Sequence, residues 1–301
     1  MIGTRMTTSE RIFQILSHII VILVGLACIV PFLFVISASV TPMSVLLEKG
    51  GYVMIPPEIN FYAYQYSLQT SLLLDALLIS VARVLVGTGF SLLINSMAGY
   101  ALSKSYLKGR KFFIQLLIIS FLFGPGLIPY YVVCRTLHLV NRFWMYVIPG
   151  AAGAWTIFIF RQFFMGLPIE LEEAARLDGA NEWQILSRVV LPLSTPVFAA
   201  LGLFSAVGHW NDFMTSVIYV RDPKLHPVAM VLQRLLVFNP AVGGSVGGSF
   251  VEKEMAEKLS AMPAQSVKMA NVVLATIPIL IVYPFLQKYF AKGMLTGAIK
   301  G

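Results

Sequence analysis

Six long runs of apolar side chains constrain this chain more than any other feature. The first extends from Ile12 to Val40 with Pro31 inside it, and the others cover 72–102, 112–134, 143–165, 195–217 and 270–291. A helix needs about 20 mostly apolar residues to cross the hydrocarbon of a bilayer. Inside hydrocarbon, only helices and closed barrels satisfy their own backbone polar groups. Runs of this length therefore predict an all-α, polytopic membrane protein with six transmembrane helices and a single transmembrane domain over 1–301. The charged fraction supports this: 12% of residues are charged and 57% hydrophobic, whereas roughly a quarter of a soluble domain is charged. Disordered, collagen-like and nucleic-acid-binding chains are excluded, and an ordinary soluble enzyme is disfavoured. The first run is longer than the apolar core of a cleaved signal peptide, so it is expected to be a retained span. Cys28 and Cys134 sit in apolar surroundings and form neither a disulfide framework nor a zinc site.

Six spans leave both termini on one side. Of the 22 basic residues, 12 fall on that side: Arg5, Arg11, Lys104, Lys108, Arg110, Lys111, Arg161, Arg176, Arg188, Lys288, Lys292 and Lys300. Nine fall opposite. The tight group Lys104 to Lys111 lies in a short loop, where the positive-inside rule weighs most. Both termini are thus expected in the cytoplasm of an inner-membrane protein, with 166–194 a cytoplasmic loop and 218–269 an external one. Much of the +8 net charge is topology and does not meet an incoming solute. The external loop carries Gly243, Gly244, Gly247 and Gly248, a flexible composition.

The most informative polar stretch is 166–192. Pro168 suits the first position of a helix, and Glu170, Glu172 and Glu173 complement its positive end. Glu172 is placed to pair with Arg176 one turn on. Gly179 supplies a left-handed stop. Asn181 with Gln184 three residues later reads as the start of a second helix, which Pro192 ends. Trp183, Leu186 and Val190 form an apolar stripe on it. Helices this short are not stable alone, so the pair is expected to dock on something. An interfacial helix lying on lipid usually carries Lys and Arg on its polar face. This one is acidic, which favours a protein partner.

Glu173-Ala174-Ala175, three residues, Gly179, nine residues, Val189, one residue and Leu191-Pro192 resembles the EAA motif of ABC-importer permeases, with Val189 replacing the usual Ile. Leu127-Ile128-Pro129-Tyr130, Phe160-Arg161-Gln162-Phe163-Phe164 and Trp210-Asn211-Asp212-Phe213 resemble motifs of its carbohydrate branch, as does the tail Lys292 to Gly301. Leu139-Val140-Asn141 resembles a further segment, except that Arg142 stands where Thr is common. Ala206 to Asn211 resembles the branch serving oligo- and polysaccharides. The resemblance covers essentially the whole chain and implies a type I ABC-importer permease fold. It also implies a coupling helix carrying Glu173, Ala174, Ala175, Asp178, Gly179, Leu191 and Pro192, which seats in a cleft of a cytoplasmic ATPase. Thr296, Gly297, Lys300 and Gly301 are implied as a second ATPase contact. The implied partners are a second, non-identical permease, two ATPase subunits, an extracytoplasmic solute-binding protein and membrane lipid, with no nucleic acid. ATP and magnesium are implied on the partner ATPase and no cofactor on this chain. The implied solute is an oligo- or polysaccharide, alginate among the candidates.

Arg83, near the middle of the second run, is costly in a membrane. Two readings stand: it lies on the solute path, or it packs helices by pairing with Asp75 or a partner's carbonyls. Trp210, Asn211 and Asp212 offer a ring face and hydrogen-bonding groups to a sugar; the alternative is an aromatic belt with a structural interhelical bond. Gly243, Gly244, Gly247 and Gly248 are candidate contacts for the binding protein. No metal site, hydrolytic constellation or P-loop is found: Gly243 and Gly248 have P-loop spacing, but Ser249 stands where Lys is required. Two other classes remain open, an ion-coupled secondary transporter and a membrane glycosyltransferase.

Overall fold

The structure, a computed structural model, describes residues 8–69, 71–237 and 264–298, and among them all regular structure is helical. The chain divides into two units, 1–70 with 239–274 and 71–238 with 275–301.

In the first unit, α1 (Thr8–Val40) continues through Pro31 for 33 residues. Its side chains are exposed almost throughout, and only Ser37, Ala38 and Ser39 in its last turn are buried. An apolar rod with no protein around it is stable where hydrocarbon replaces water. Beyond it lie α2 (Met43–Glu48) and α3 (Tyr62–Gln69). Ala38, Leu46 and Val53 pack with Phe34 and Met269, and Ala63 packs with Val267 and Ala270. The Asn60 amide donates to the freed Val40 carbonyl at 2.7 Å, and Ser39 Oγ shares a hydrogen bond with the Tyr64 hydroxyl at 2.7 Å.

The second unit is organised by α4 (Ser71–Ser103), against which α7 (Ala154–Met165) and α11 (Thr195–Asn211) pack. Small residues allow close crossings. A β-carbon on Gly99 would lie 2.6 Å from Phe160 Cβ, and one on Gly87 would lie 2.6 Å from the His209 ring. Phe160, Phe164, Ile185, Leu186, Val190, Val197 and Leu201 form the main core with Tyr100.

Three helices among the described residues are long and apolar enough to cross a membrane, or up to five if each of two bent pairs counts as one span. Two expected spans match long helices directly: 12–40 is α1 and 72–102 is α4. The expected third span is broken at Gly124-Pro125-Gly126 into α5 (Arg110–Leu122) and α6 (Leu127–Thr136), bent by 118°. The expected fourth, 143–165, is not one helix. A single 3-10 turn occupies Phe143–Tyr146, and α7 starts only at Ala154. Pro149, Gly150 and Gly153 interrupt the ladder, since proline lacks a donor and glycine favours non-helical backbone. The freed groups are satisfied by the fully buried Asn95 of α4, whose amide donates to the Ala151 carbonyl at 2.8 Å and accepts from the Gly153 amide at 2.9 Å.

The fifth run ends earlier than expected. α11 stops at Asn211, Asp212 is extended, and α12 (Met214–Tyr219) is a separate short helix. The sixth run lies inside α14 (Ala264–Ala298), which carries Pro278 and Pro284. Part of the expected external loop is also helical, as α13 (Val228–Val237), whose first amide donates to Ser80 Oγ of α4 at 2.8 Å.

Candidate functional site

The polar insert folds as two short helices. α8 spans Ile169–Leu177, with Pro168 one position before it and Asp178 after it. Gly179 adopts φ +81°, the left-handed stop its residue type favours. α9 (Glu182–Ile185) opens with the expected reciprocal cap: Asn181 Oδ1 accepts from the Gln184 amide and Gln184 Oε1 from the Asn181 amide, both at 2.9 Å.

Proline does not end the second helix. A widened turn, Leu186–Val190, leads into α10 (Leu191–Leu193), so the chain stays helical through Pro192. The Leu191 amide closes the widened turn on the Leu186 carbonyl, and Pro192 falls in the first turn of α10, where its missing donor breaks no intrahelical bond. Leu186 and Val190 of the expected apolar stripe are buried, but Trp183 is 58% exposed.

The ion pairs of this insert differ from the helix-local expectation. Glu172 is buried and both its oxygens accept from Lys104 Nζ, just past the C-terminal end of α4, instead of from Arg176. Lys104 Nζ also lies 4.1 Å from the centre of the Tyr100 ring. Arg176 reaches across the turn to Glu182 at 2.8 Å and to the Tyr106 hydroxyl at 2.7 Å. Glu182 accepts from the hydroxyls of Tyr100 and Tyr106, each at 2.9 Å. Partial burial pushes the Glu182 carboxyl up, yet these hydroxyls and Arg176 outweigh it and hold the group below the usual carboxylate range. The insert is thereby fastened to α4 on its inner side. Its outer side presents Ile169, Leu171, Leu177 (90% exposed) and Trp183, together with exposed Glu173, Ala174 and Asp178.

A second constellation lies deep in the same unit. A cavity of about 420 Å³ is walled by α4, α6, α7, α11, α12 and the Met145–Gly150 segment. Arg83 is 2% exposed at its edge. Its Nη1 donates to the Asp212 carbonyl at 2.7 Å, its Nη2 pairs with Asp212 Oδ2, and its guanidinium carbon stacks 4.4 Å from the centre of the Tyr146 ring. Asp212 is fixed in turn by Thr215, whose amide and hydroxyl donate to its carboxylate at 3.1 and 2.6 Å. The Tyr146 hydroxyl shares a hydrogen bond with Ser216 Oγ and donates to the Leu225 carbonyl, both 2.9 Å. Tyr130, Trp155 and Tyr219 complete aromatic walls.

Arg83 therefore does not pair with Asp75, which is exposed; Asp212 is its partner within this chain. Arg83 and Asp212 come together at the cavity, whereas Trp210, half-buried, and Asn211, exposed, do not line it. Sequence reasoning missed Tyr146 and Trp155, because an aromatic in an apolar run carries no local mark of lining a cavity. Thr296 and Gly297 lie on the backbone of α14, while Lys300, Gly301, Gly243, Gly244, Gly247 and Gly248 lie outside the described residues. Among the described residues no group of three or more His, Cys, Asp or Glu is placed to hold a metal.

A family model of the binding-protein-dependent transport system inner membrane component matches residues 111–296. The chain belongs to this family. It is 36% identical over 292 residues to the polygalacturonan/rhamnogalacturonan transport system permease protein YtcP of Bacillus subtilis, covering 97% of this chain and 99% of that one. It is 28% identical to the arabinooligosaccharides transport system permease protein AraQ of Halalkalibacterium halodurans, covering 92% and 93%. Among solved structures, it superimposes with a TM-score of 0.84 and 28% identity on a chain of a bacterial ABC transporter involved in the import of the acidic polysaccharide alginate, covering 96% of this chain and all of that one. Within the matched residues lie the whole insert 166–194 and most of the cavity lining, including Tyr130, Tyr146, Trp155 and Asp212; Arg83, Ser91 and Leu92 lie before them.

Proposed function

We propose that this chain is one permease subunit of a carbohydrate ABC importer, with an acidic oligosaccharide as its solute. The carrying observation is the pairing of an acidic, two-helix insert, fastened inward and apolar outward, with an aromatic-walled cavity that holds buried Arg83, ion-paired with Asp212, at its edge, in one family member. Relatives named for galacturonan and alginate favour a uronate-containing solute. Six spans, cytoplasmic termini and an inner-membrane location complete the reading, the bent and broken segments each counting as one crossing.

In this reading α8 is the coupling helix. Leu171, Leu177 and Trp183 fill an apolar cleft on an ATPase subunit while Glu173 and Asp178 meet its polar rim, and Gly179, Leu191 and Pro192 set the angle between the two helices. The end of α14, with Thr296 and Gly297, and the residues Lys300 and Gly301 form a second ATPase contact. Two ATPase subunits hold ATP and magnesium, a second permease completes the path, and an extracytoplasmic binding protein delivers the sugar to the external loop at Gly243, Gly244, Gly247 and Gly248. Closure of the ATPases pulls α8, and the Lys104–Glu172 link passes the movement to α4, which carries Arg83. The pathway then has two states biased from opposite faces of the membrane.

The test is uptake of trigalacturonate into proteoliposomes holding the full importer. Uptake should require ATP, and Glu173→Arg or Gly179→Val should abolish it or release the ATPase during purification. Normal uptake and normal co-purification in both variants refute the coupling role. Uptake driven by an ion gradient without ATP favours a secondary carrier instead.

A further inference from the structure

We infer that the Arg83–Asp212 pair is a carboxylate-exchange site: a uronate carboxylate of the solute displaces the Asp212 side chain from Arg83 as the sugar enters the cavity. The inference rests on reading this cavity as the solute's path.

The pair is lopsided in ways that suit exchange. Arg83 is almost completely buried, at 2%, whereas the Asp212 side chain is 29% exposed. A buried guanidinium needs a counter-charge at all times, while a partly wet carboxylate does not. Asp212 also has other donors to keep: the Thr215 amide and hydroxyl hold it whether or not Arg83 does. Arg83 similarly keeps its bond to the Asp212 carbonyl and its stack on Tyr146 when the side chain leaves.

The guanidinium is also only half used. Arginine recognises a carboxylate best through two parallel N–H donors, one such pair being Nε with Nη2. Here Nη2 meets a single Asp212 oxygen, and Nε has no hydrogen-bond partner among the described residues. A carboxylate bound to that edge engages both donors and satisfies a buried orphan. Asp212, tethered to its own backbone beside the Nη1 bond, leaves Nε unfilled.

The surroundings fit a sugar that bears such a group. Tyr130, Trp155 and Tyr219 offer ring faces to pyranose C–H groups, and Thr156, Ser205 and His209 offer hydrogen bonds to hydroxyls. The volume of about 420 Å³ lies in the range of small-molecule sites, enough for a short stretch of chain. A neutral sugar has nothing with which to compete for Arg83, so the pair also selects against it.

The discriminating experiment compares trigalacturonate with its fully methyl-esterified form in ATP-dependent uptake by the reconstituted importer. Wild type should prefer the acid. The double variant Arg83→Met/Asp212→Leu, which removes both charges at similar volume, should lower the acid-to-ester ratio of kcat/KM by about tenfold to a hundredfold, as expected for a charged hydrogen-bonded contact. Asp212→Asn, which keeps the arginine and removes the competing charge, should lower KM for the acid relative to the ester. An unchanged ratio in an assembled double variant overturns the inference and leaves the importer reading standing. If the double variant fails to assemble, Asp212→Asn decides alone, and an unchanged or raised acid-to-ester KM ratio refutes exchange. Wild type that imports neither form overturns the importer reading itself.

Discussion

Replacing Lys104 by Met should loosen the polar insert from α4 with little effect elsewhere in the protein. Lys104 Nζ serves both oxygens of Glu172, and the two side chains are only 12% and 10% exposed. Removing one partner of a buried pair costs about 3–5 kcal/mol, because the other charge is left without compensation. The residual tenth of exposure admits some water, which places the expected loss near the lower end, about 3 kcal/mol. The Tyr100 ring loses its cation as well, a smaller effect of about 0.5–1 kcal/mol. A nine-residue helix has no stability of its own to offset this. About 3 kcal/mol is roughly two powers of ten in the docking equilibrium. Hydrogen exchange on the purified importer should therefore show protection of the 169–177 amides falling about a hundredfold, with 83–95 unchanged. The double variant Lys104→Met/Glu172→Leu should recover much of the loss, giving a coupling energy well above the few tenths expected of independent sites. Protection in Lys104→Met within a factor of two of wild type would falsify the claim that this pair anchors the insert.

Two further outcomes follow from the packing and the titrating groups. Gly99→Ala sets a β-carbon 2.6 Å from Phe160 Cβ and 3.0 Å from the Arg161 backbone nitrogen, so α4 and α7 must part. A loss of about 1–3 kcal/mol is expected, read as a lowered Tm, whereas Gly89→Ala, with nothing within 4 Å, is the neutral control. His226 is 1% exposed and its Nε2 lies 3.1 Å from the Val220 carbonyl, and burial pushes its pKa below the ordinary 6.5. The unfolded chain takes up this proton near 6.5 while the folded one resists it. Stability from the neutral ring is therefore complete above pH 6.5 and drains away as pH falls below it. Tm should drop between pH 7.5 and 5.5 more steeply in wild type than in His226→Gln, and parallel profiles would refute the role of His226.

Local sequence rules read the polar insert well because its determinants are local. A glycine at φ +81° and an Asn181–Gln184 cap act within a few residues of one another and appear where expected, and Pro168 stands one position before the helix it is expected to open. The same rules mistook the partner of Glu172. Arg176 is one turn away in sequence, but Lys104 is closer in space and lies where burial makes an ion pair stronger. Tertiary packing likewise divided the 143–165 run. Its hydrophobicity gave no sign that Asn95, 56 residues before Ala151 and 58 before Gly153, would satisfy both and so make the break tolerable.

By itself, the amino-acid order determined the solvent and the class of fold. Long uncharged runs have one low-energy environment, and their backbones satisfy themselves there only as helices. It also determined that the insert would be two short helices divided by a left-handed glycine, the second opened by a reciprocal cap. Only the tertiary structure decided what each buried charge answers to. Arg83 meets Asp212 across 129 positions of chain, beside aromatic residues contributed by four other segments. Periodicity and capping operate over a few residues. The partner of a charge in a low-dielectric interior is set by whichever carboxylate the fold brings within reach, and that distance is a property of how the helices cross.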